Sequence, residues 1–480
     1  MDAPTDFAGK RVTVAGLGHF GGGVAVARWL AAQGAKVLVT DKAPADKLAD
    51  SVKQLDGLPI TYRLGGHDAA DFTSADVVVA SPALPPTNPY LAAARAAGVP
   101  VTTEICLVVR RLNAPVVGVT GTKGKSTTSA MIAAMLRKRH TVHFGGNIGR
   151  SLLDVLPDIK PDHVVVLELS SFMLDYLGRI GWSPGVAVVT LLAPDHLDWH
   201  GTFDAYAAAK MNLLRHQRPG DLAVINGECS VLAKWLDRER LHGTPASERT
   251  REDPDSGHYW SDSKGAAQPE SGSSRRTAQT PASARIPDRV VHYRADTFPP
   301  FSLVVPGRHN QLNAQGAFAA AGAFGVTWAE AQDALRDFKG LDHRLQLVHE
   351  SAGVRWFNDS IATVPEAAVA ALEAFDVGRV IQIVGGSSKN LDHAPLVRAL
   401  AARAKAVLTI GTTGPAVAAD LRAAGAVDVR DCGTLAAAVA AAKEIARHSD
   451  VVLLSTGFAS YDQFRDFQDR GDQFAALARG

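Results

Sequence analysis

Residues 115–136 read PVVGVTGTKGKSTTSAMIAAML. An apolar strand ending at Thr120 runs into Gly121-Thr122-Lys123-Gly124-Lys125-Ser126-Thr127, which opens an amphipathic helix. Such a loop aims backbone N–H groups and a helix N-terminus at one point, which makes an anion cradle. Lys125 would reach the outer phosphates of a nucleotide, and the Ser126 hydroxyl would join a Mg²⁺ shell. The strict G-x-x-x-x-G-K-[ST] spacing is not met, because Gly118 lies one residue too far upstream and position 119 is Val. A bare glycine turn would account for the glycines but not for Lys125-Ser126 beside them, so the segment is read as a phosphate site.

A second loop, Gly16-Leu17-Gly18-His19-Phe20-Gly21, follows the run 11–15, and Asp41 ends the next strand. This is a dinucleotide-type fingerprint with its acid at about the right distance. The pattern guarantees only close approach of backbone to a diphosphate, so NAD, a UDP-sugar or an empty turn all remain open. Further along, Gly145-Gly146-Asn147-Ile148-Gly149 forms a loop and Glu168 closes a hydrophobic strand ahead of Leu169-Ser170-Ser171-Phe172. A strand-end carboxylate in a P-loop unit is well placed for Mg²⁺. In Asp195-His196-Leu197-Asp198-Trp199-His200-Gly201 the two histidines have i,i+4 spacing, but Leu197 breaks H-E-x-x-H, which argues against a zinc hydrolase. Four loops of the last third, around Arg344, Asp359, Lys389 and Ser460, fall just past strand ends, where open α/β sheets bind ligands.

The elements behind these loops are short β-branched runs such as KVLVTD, DVVVAS, HVVVLELS, VIQIVGG and VVLLST, alternating with Ala-rich helical stretches. Continuous apolar strands ending in Gly, Ser or Asp read as buried parallel strands covered on both faces, an α/β doubly wound pattern. Breaks near 112–115 and 339–343 divide the 480 residues into units 1–113, 114–340 and 341–480. The polar, Ser/Pro/Arg-rich stretch 244–288 has too little apolar surface to order and is expected to be a disordered surface insertion. Fifty basic residues balance 49 acidic ones, so no net field marks a nucleic-acid binder. Three distant cysteines indicate neither a disulfide framework nor a zinc site. The N-terminus lacks the profile of a signal peptide, and no apolar run is long enough to span a bilayer, so a cytoplasmic protein without membrane insertion is expected.

Taken together, TGTKGKST, GGNIG, ELSSF, DHLDWHG followed by Lys210, PGRHNQLNAQGA and DHRLQ resemble the Mur ligase superfamily, the ATP-dependent amide-forming enzymes of peptidoglycan precursor synthesis. Their order spans essentially the whole chain outside 244–288. NDSIATVPEA and the tail DQFRDFQDRGDQF point within the superfamily to the branch that adds D-glutamate to UDP-N-acetylmuramoyl-L-alanine. The resemblance implies three domains: an N-terminal Rossmann-like UDP-binding unit, a central P-loop ATPase-type unit and a C-terminal Rossmann-like unit. It also implies that the glycine loop serves UDP rather than NAD, through Gly16, Gly18, His19, Phe20, Asp41, Lys42 and Ser81, with Asn147 and His196 contacting the same substrate.

Carried over motif by motif, the loop Gly121–Thr127 would hold ATP, and Lys125 would stabilise the migrating phosphoryl group. Ser126 with Glu168 would hold one Mg²⁺. Lys210 matches a CO₂-carbamylated lysine supporting a second Mg²⁺, with His196 a ligand or neighbour of that metal. Asn310, Asn313, Arg344 and Asp359 match the nucleotide grip. Thr363, Lys389, Ser460, Tyr461 and Phe467 match the surroundings of the incoming glutamate, with Lys389 also counted as catalytic. The resemblance implies UDP-N-acetylmuramoyl-L-alanine, glutamate and ATP as partners of a monomer. Three departures bear on the amino acid or the turn nearby: Ile361 stands where well-known members carry Lys, LSTGFASYDQF replaces LSPACASXDQF, and SPALPP lacks the glycine of the SPG-type turn. The competing readings are an L-glutamate-adding relative, a folylpolyglutamate synthase, an NAD-dependent oxidoreductase that would leave TGTKGKST idle, and a non-catalytic nucleotide-binding regulator. The 1–110 unit argues against the synthase, and Lys125, Glu168 and Lys210 argue against the regulator.

Overall fold

The computed structural model describes residues 6–18, 22–82, 84–85, 87–148, 151–243, 289–388, 392–426 and 428–480. The insertion 244–288 and the site residues His19, Phe20 and Lys389 lie outside the described residues. Three sheets follow one another along the chain. The first has β1 (Arg11–Ala15), β2 (Lys36–Asp41), β3 (Ile60–Leu64), β4 (Val77–Ala80) and β5 (Val101–Thr102), in the order β3-β2-β1-β4-β5 and parallel throughout. The glycine loop leaves β1 where the strand order reverses, which is where open α/β sheets leave a crevice.

The second sheet has β6 (Val116–Thr120), β7 (Val142–Gly146), β8 (Val164–Glu168), β9 (Val186–Val189), β10 (Leu222–Asn226) and β11 (Arg289–Tyr293). Its order is β11-β10-β9-β6-β8-β7, again all parallel. β6 sits in the middle, flanked by β8 and β9, so the loops after all three strands open onto one face. The helix Lys125–Leu136 packs on the helix Arg308–Ala321, where the buried Ala314, Ala317 and Ala320 allow close approach. Among the described residues no helix is long and apolar enough to cross a membrane.

The third sheet has β12 (Gln346–Ser351), β13 (Val354–Asn358), β14 (Val380–Gly385), β15 (Ala406–Ile410), β16 (Val429–Gly433) and β17 (Val451–Leu454), in the order β12-β13-β17-β14-β15-β16. It departs from the expected all-parallel pattern at one edge, where β12 pairs antiparallel with β13. The cause is local: Ala352 and Gly353 both take positive φ, +50° and +73°, the backbone of a two-residue hairpin turn whose twist matches its strands.

The cores are unequal in reach. One continuous cluster runs from Val12 and Val39 of the first sheet through Ile105 and Val108 to Leu174, Val189 and Leu213 of the second. The helix Glu104–Val109 is the joint, buried against the segment Leu152–Asp158 and the helix Ser171–Arg179. The third domain instead has a cluster on each face of its own sheet. The first two domains are therefore welded, while the third keeps an independent core.

Candidate active site

The first-domain crevice is a cavity of about 360 Å³ lined by Gly16, Gly18, Asp41, Lys42, Ser81 and Glu104 among others. Gly16 has φ +96°, and a Cβ there would come within 2.9 Å of the Ser81 Cβ, so only glycine lets the loop pass this close. The Asp41 carboxylate accepts from Leu17 N at 2.8 Å and Gly18 N at 3.2 Å through one oxygen, and from Ala43 N at 2.9 Å through the other. The acid that the fingerprint would aim at a ligand thus also fastens its own loop. Glu104 reaches the same cavity from the interdomain joint, and burial raises its carboxyl above the ordinary range, partly countered by a bond to Ser151.

In the central domain the phosphate loop is held from below. Gly121 has φ +152° and Gly124 has φ +87°; a Cβ on the first would lie 2.0 Å from Thr190 Oγ1, and on the second 2.7 Å from Asn313 Oδ1. Thr122 N donates to Leu191 O at 2.5 Å, and the Thr122 hydroxyl lies 2.9 Å from Tyr206 Oη. Thr190 Oγ1 donates to Lys123 O at 2.7 Å. The helix that follows has Gly124 as its N-cap and takes no side-chain cap. Its half-exposed Ser126 and buried Thr127 stand in that first turn, where the dipole favours an anion. Lys125 folds over the loop, Nζ donating to Thr122 O at 3.1 Å. Burial pulls its pKa below the usual lysine value; Glu168 opposes this and Arg344 adds to it. That charge brings the third domain into the site.

Glu168, 2% exposed, accepts from Asn147 Nδ2 at 3.1 Å through Oε1, while Oε2 is buried without a hydrogen-bond partner. A buried carboxylate oxygen left unpaired is costly unless a ligand completes it. Lys210, also 2% exposed, donates from Nζ to Gly121 O at 2.8 Å and lies 4.8 Å from the centre of the Tyr206 ring. Burial, and then the neighbouring Lys125 charge, push its pKa well below the ordinary lysine value. His196 has left-handed backbone, φ +50°; its ring sits 3.6 Å from Asp195 and 4.8 Å, centre to centre, from Phe172. His200 meets Ser171 Oγ at 3.0 Å. Among the described residues no three His, Cys, Asp or Glu side chains converge as a metal set. A divalent ion here would draw on a mixed set, and the unpaired Glu168 oxygen suits it.

Asn310 donates from Nδ2 to Pro306 O at 2.7 Å and accepts from Asn313 Nδ2 at 3.3 Å, so the two form a buried amide pair beneath Gly124. In the third domain Asp359 is 5% exposed, accepting from Ser455 Oγ at 2.7 Å and Leu345 N at 3.1 Å. Burial pushes its carboxyl up to about 6 against those bonds and the Arg344 charge. Ser460 is buried, Tyr461 is 72% exposed, Thr363 is half-buried, and Phe467 meets the edge of His343 with ring centres 6.0 Å apart. Two residues that hold the site were not singled out from sequence: Thr190 and Glu104. For Thr190 the signal was available, a hydroxyl residue ending the run VAVVT beside the phosphate loop.

Comparisons with known proteins cover these units in turn. Residues 10–103 match the Mur ligase MurD-like N-terminal domain, 119–321 the Mur ligase middle domain, and 343–457 the Mur ligase glutamate ligase domain. A UDP-N-acetylmuramoylalanine–D-glutamate ligase of Roseiflexus sp. (strain RS-1) is 42% identical over 489 residues, covering 98% of this chain and 98% of that protein. A protein of the same name from Anaeromyxobacter dehalogenans (strain 2CP-C) is 41% identical, covering 100% of this chain and 99% of its own length. The crystal structure of UDP-N-acetylmuramate-alanine ligase MurC from Thermotoga maritima shares the fold at a TM-score of 0.57 and 19% identity, over 98% of this chain and 99% of that one. MurF ligase from Thermotoga maritima, solved in complex with ADP, aligns at a TM-score of 0.53 and 16% identity, over 92% of this chain and 94% of its own. With three consecutive domains matched and relatives of this identity along the full length, the chain belongs to the Mur ligase family.

Proposed function

We propose that this chain is an ATP-dependent ligase that adds D-glutamate to UDP-N-acetylmuramoyl-L-alanine, in the cytoplasmic synthesis of peptidoglycan precursors. The observation that carries the reading is the gathering of Lys125, the Glu168 carboxylate with its unpaired Oε2, and Lys210 at one face of the central sheet, with Arg344 reaching in from the third domain. The names of the full-length relatives supply the substrate pair.

In this scheme the first-domain cavity takes the uridine diphosphate, and Asn147 and His196 guide the sugar and its peptide carboxylate toward the phosphate loop. That carboxylate attacks the ATP γ-phosphoryl group, giving an acyl phosphate and ADP. The glutamate amine then attacks the acyl carbon, and the tetrahedral intermediate collapses to amide and phosphate. Lys125 neutralises charge on the migrating group, and the amides of residues 121–127 hold the phosphates in line. Asn310, Asn313, Arg344 and Asp359 grip the nucleotide. Thr363, Lys389, Ser460, Tyr461 and Phe467 surround the glutamate, a lysine and hydroxyls suiting its carboxylates.

Two Mg²⁺ sites belong to the reading: Ser126 with Glu168, and Lys210 as a carbamate with His196. Bound there, the ions would supply charge stabilisation for phosphoryl transfer. Lys210 suits the modification because the buried amine loses its proton readily, and only a neutral amine adds CO₂. The enzyme is taken to work as a monomer.

The test is phosphate release from ATP with UDP-N-acetylmuramoyl-L-alanine and either D- or L-glutamate. Release that depends on D-glutamate is expected. Turnover with L-glutamate alone would move the chain to the L-adding branch, and silence with both would overturn the reading.

A further inference from the structure

Arg470 is fully buried and heads the largest side chains with no exposure. It lies in the first turns of the helix Phe467–Arg479, and the bonds of its guanidinium leave that helix. Nε donates to Ser360 Oγ at 2.8 Å, one terminal nitrogen to Ser360 O at 2.8 Å, and the other to Phe458 O at 3.1 Å. The carboxylates of Asp462 and Asp359 face it. The next residue continues the pattern. Gly471 O accepts from Asn358 Nδ2 at 3.0 Å, and a Cβ at 471 would lie 2.3 Å from His343 Nδ1. One helical turn therefore grips the loop after β13, the loop after β17 and the loop that carries Arg344.

Those segments are the ones assigned above to the incoming amino acid. Thr363 follows Ser360 on the first loop, Ser460 follows Phe458 on the second, and Phe467 begins the helix itself. Resting on that assignment, we propose that Arg470 is the positioning residue that fixes the geometry of the glutamate subsite, by tying the 358–363 and 455–463 loops to the C-terminal helix. Fully buried, it acts through the loops it ties. A guanidinium is suited to this task because its planar fork sets the angle between partners, whereas a lysine would give a point charge without register. A filler of the core would not need three directed donors. Burial without such bonds would favour an apolar side chain of similar size.

The experiment compares the full-length enzyme with Arg470→Lys and Ser360→Ala, measuring separate Michaelis constants for glutamate, ATP and the UDP-substrate. Ser360→Ala keeps the guanidinium and two of its three bonds, so it provides the reading if Arg470→Lys fails to fold. The expected result is a rise in the glutamate KM of about tenfold for Arg470→Lys and about threefold for Ser360→Ala, with the other two constants within about twofold. An unchanged glutamate KM in the folded variants, or a parallel rise in all three constants, would overturn the proposal. The functional reading fails separately: if the unmutated enzyme releases no phosphate in response to glutamate, both inferences fall together.

Discussion

Lys210 holds a position that an ordinary ammonium would leave. It is buried against another lysine, and its one strong bond is to Gly121 O at 2.8 Å. If a carbamate is its working form, Lys210→Ala should lower ligation by roughly three orders of magnitude, and a short carboxylic acid that fills the space should restore part of it. Bicarbonate should restore none; near-normal turnover of the alanine variant would remove Lys210 from the site. Asp359 gives a test with a pH sign. Its folded pKa, about 6, lies above the unfolded carboxylate value, so the fold favours the protonated form; that contribution is complete below about pH 4 and is lost as pH rises through 6. At pH 8 the buried charge costs ~3 kcal/mol, at roughly 1.4 kcal/mol per pH unit of displacement. Asp359→Asn should therefore melt higher than the parent at pH 8, with the difference shrinking toward pH 4, while nucleotide-dependent turnover falls. A melting difference that grows on acidification would refute the account. Lys125 and Glu168 could be named from sequence because each belongs to a short motif at or beside a strand end, whereas Lys210 sits within the helix Phe203–Arg215 and was reached only through the family resemblance. Arg470 could not: FQDRGDQFAALAR reads as a polar surface helix, and the burial of its arginine depends on loops more than 100 residues away and next door.

At the level of the element, the phosphate loop depends on glycines that no other residue replaces. Gly124→Ala combines a strained φ of +87° with a Cβ 2.7 Å from Asn313 Oδ1, an atom within the nucleotide grip. The variant should fold, because the clash is confined to a loop and one amide side chain, yet the ATP KM should rise by about tenfold or more. Nucleotide titration followed by thermal shift would check this, and an unchanged affinity would mean that the loop relaxes freely. Which strands were legible also has a physical pattern. Runs such as RVTVA, VVGVT and VIQIVG lie inside sheets, covered on both faces, and so announce themselves as stretches dominated by β-branched apolar residues. The strands the sequence did not reveal include β3, β5, β7, β11, β12 and β16, which are the two edges of each sheet. β3 alternates half-buried with exposed residues and β12 is nowhere fully buried, so neither needs an apolar run. The β12–β13 hairpin was missed for the further reason that its turn, Ala352-Gly353, carries a non-glycine residue at positive φ.

Across the whole molecule, the first two domains share a core and the third does not. Arg28 adds an ion pair to Asp154 at 3.4 Å across the first joint, exposed on both sides and so worth little by itself. The third domain reaches the central site through charge, with Arg344 acting on Lys125. Both groups are cations, so lower salt, which screens their repulsion less, should disfavour the approach of the third domain more than it alters the first joint. The remaining long-range feature is the crossover from β10 to β11. Asn226 and Tyr293 are paired in register, while the sequence between them includes all of 244–288. Replacing 244–288 with a short Gly-Ser linker should leave catalysis nearly intact, because every assigned site residue lies elsewhere; loss of nucleotide binding would show that the stretch is needed. Equilibrium stability should barely change either, since each doubling of a loop costs only about 0.6 kcal/mol. Assembly is another matter. β11 must find β10 by a long diffusive search, and Tyr293, with no exposure in the native state, cannot be covered by Gly316 and its helix until that search ends. The long crossover thus makes an edge strand the late arrival in refolding. Shortening it should hasten the phase in which Tyr293 leaves water, while the rate of unfolding stays as it was.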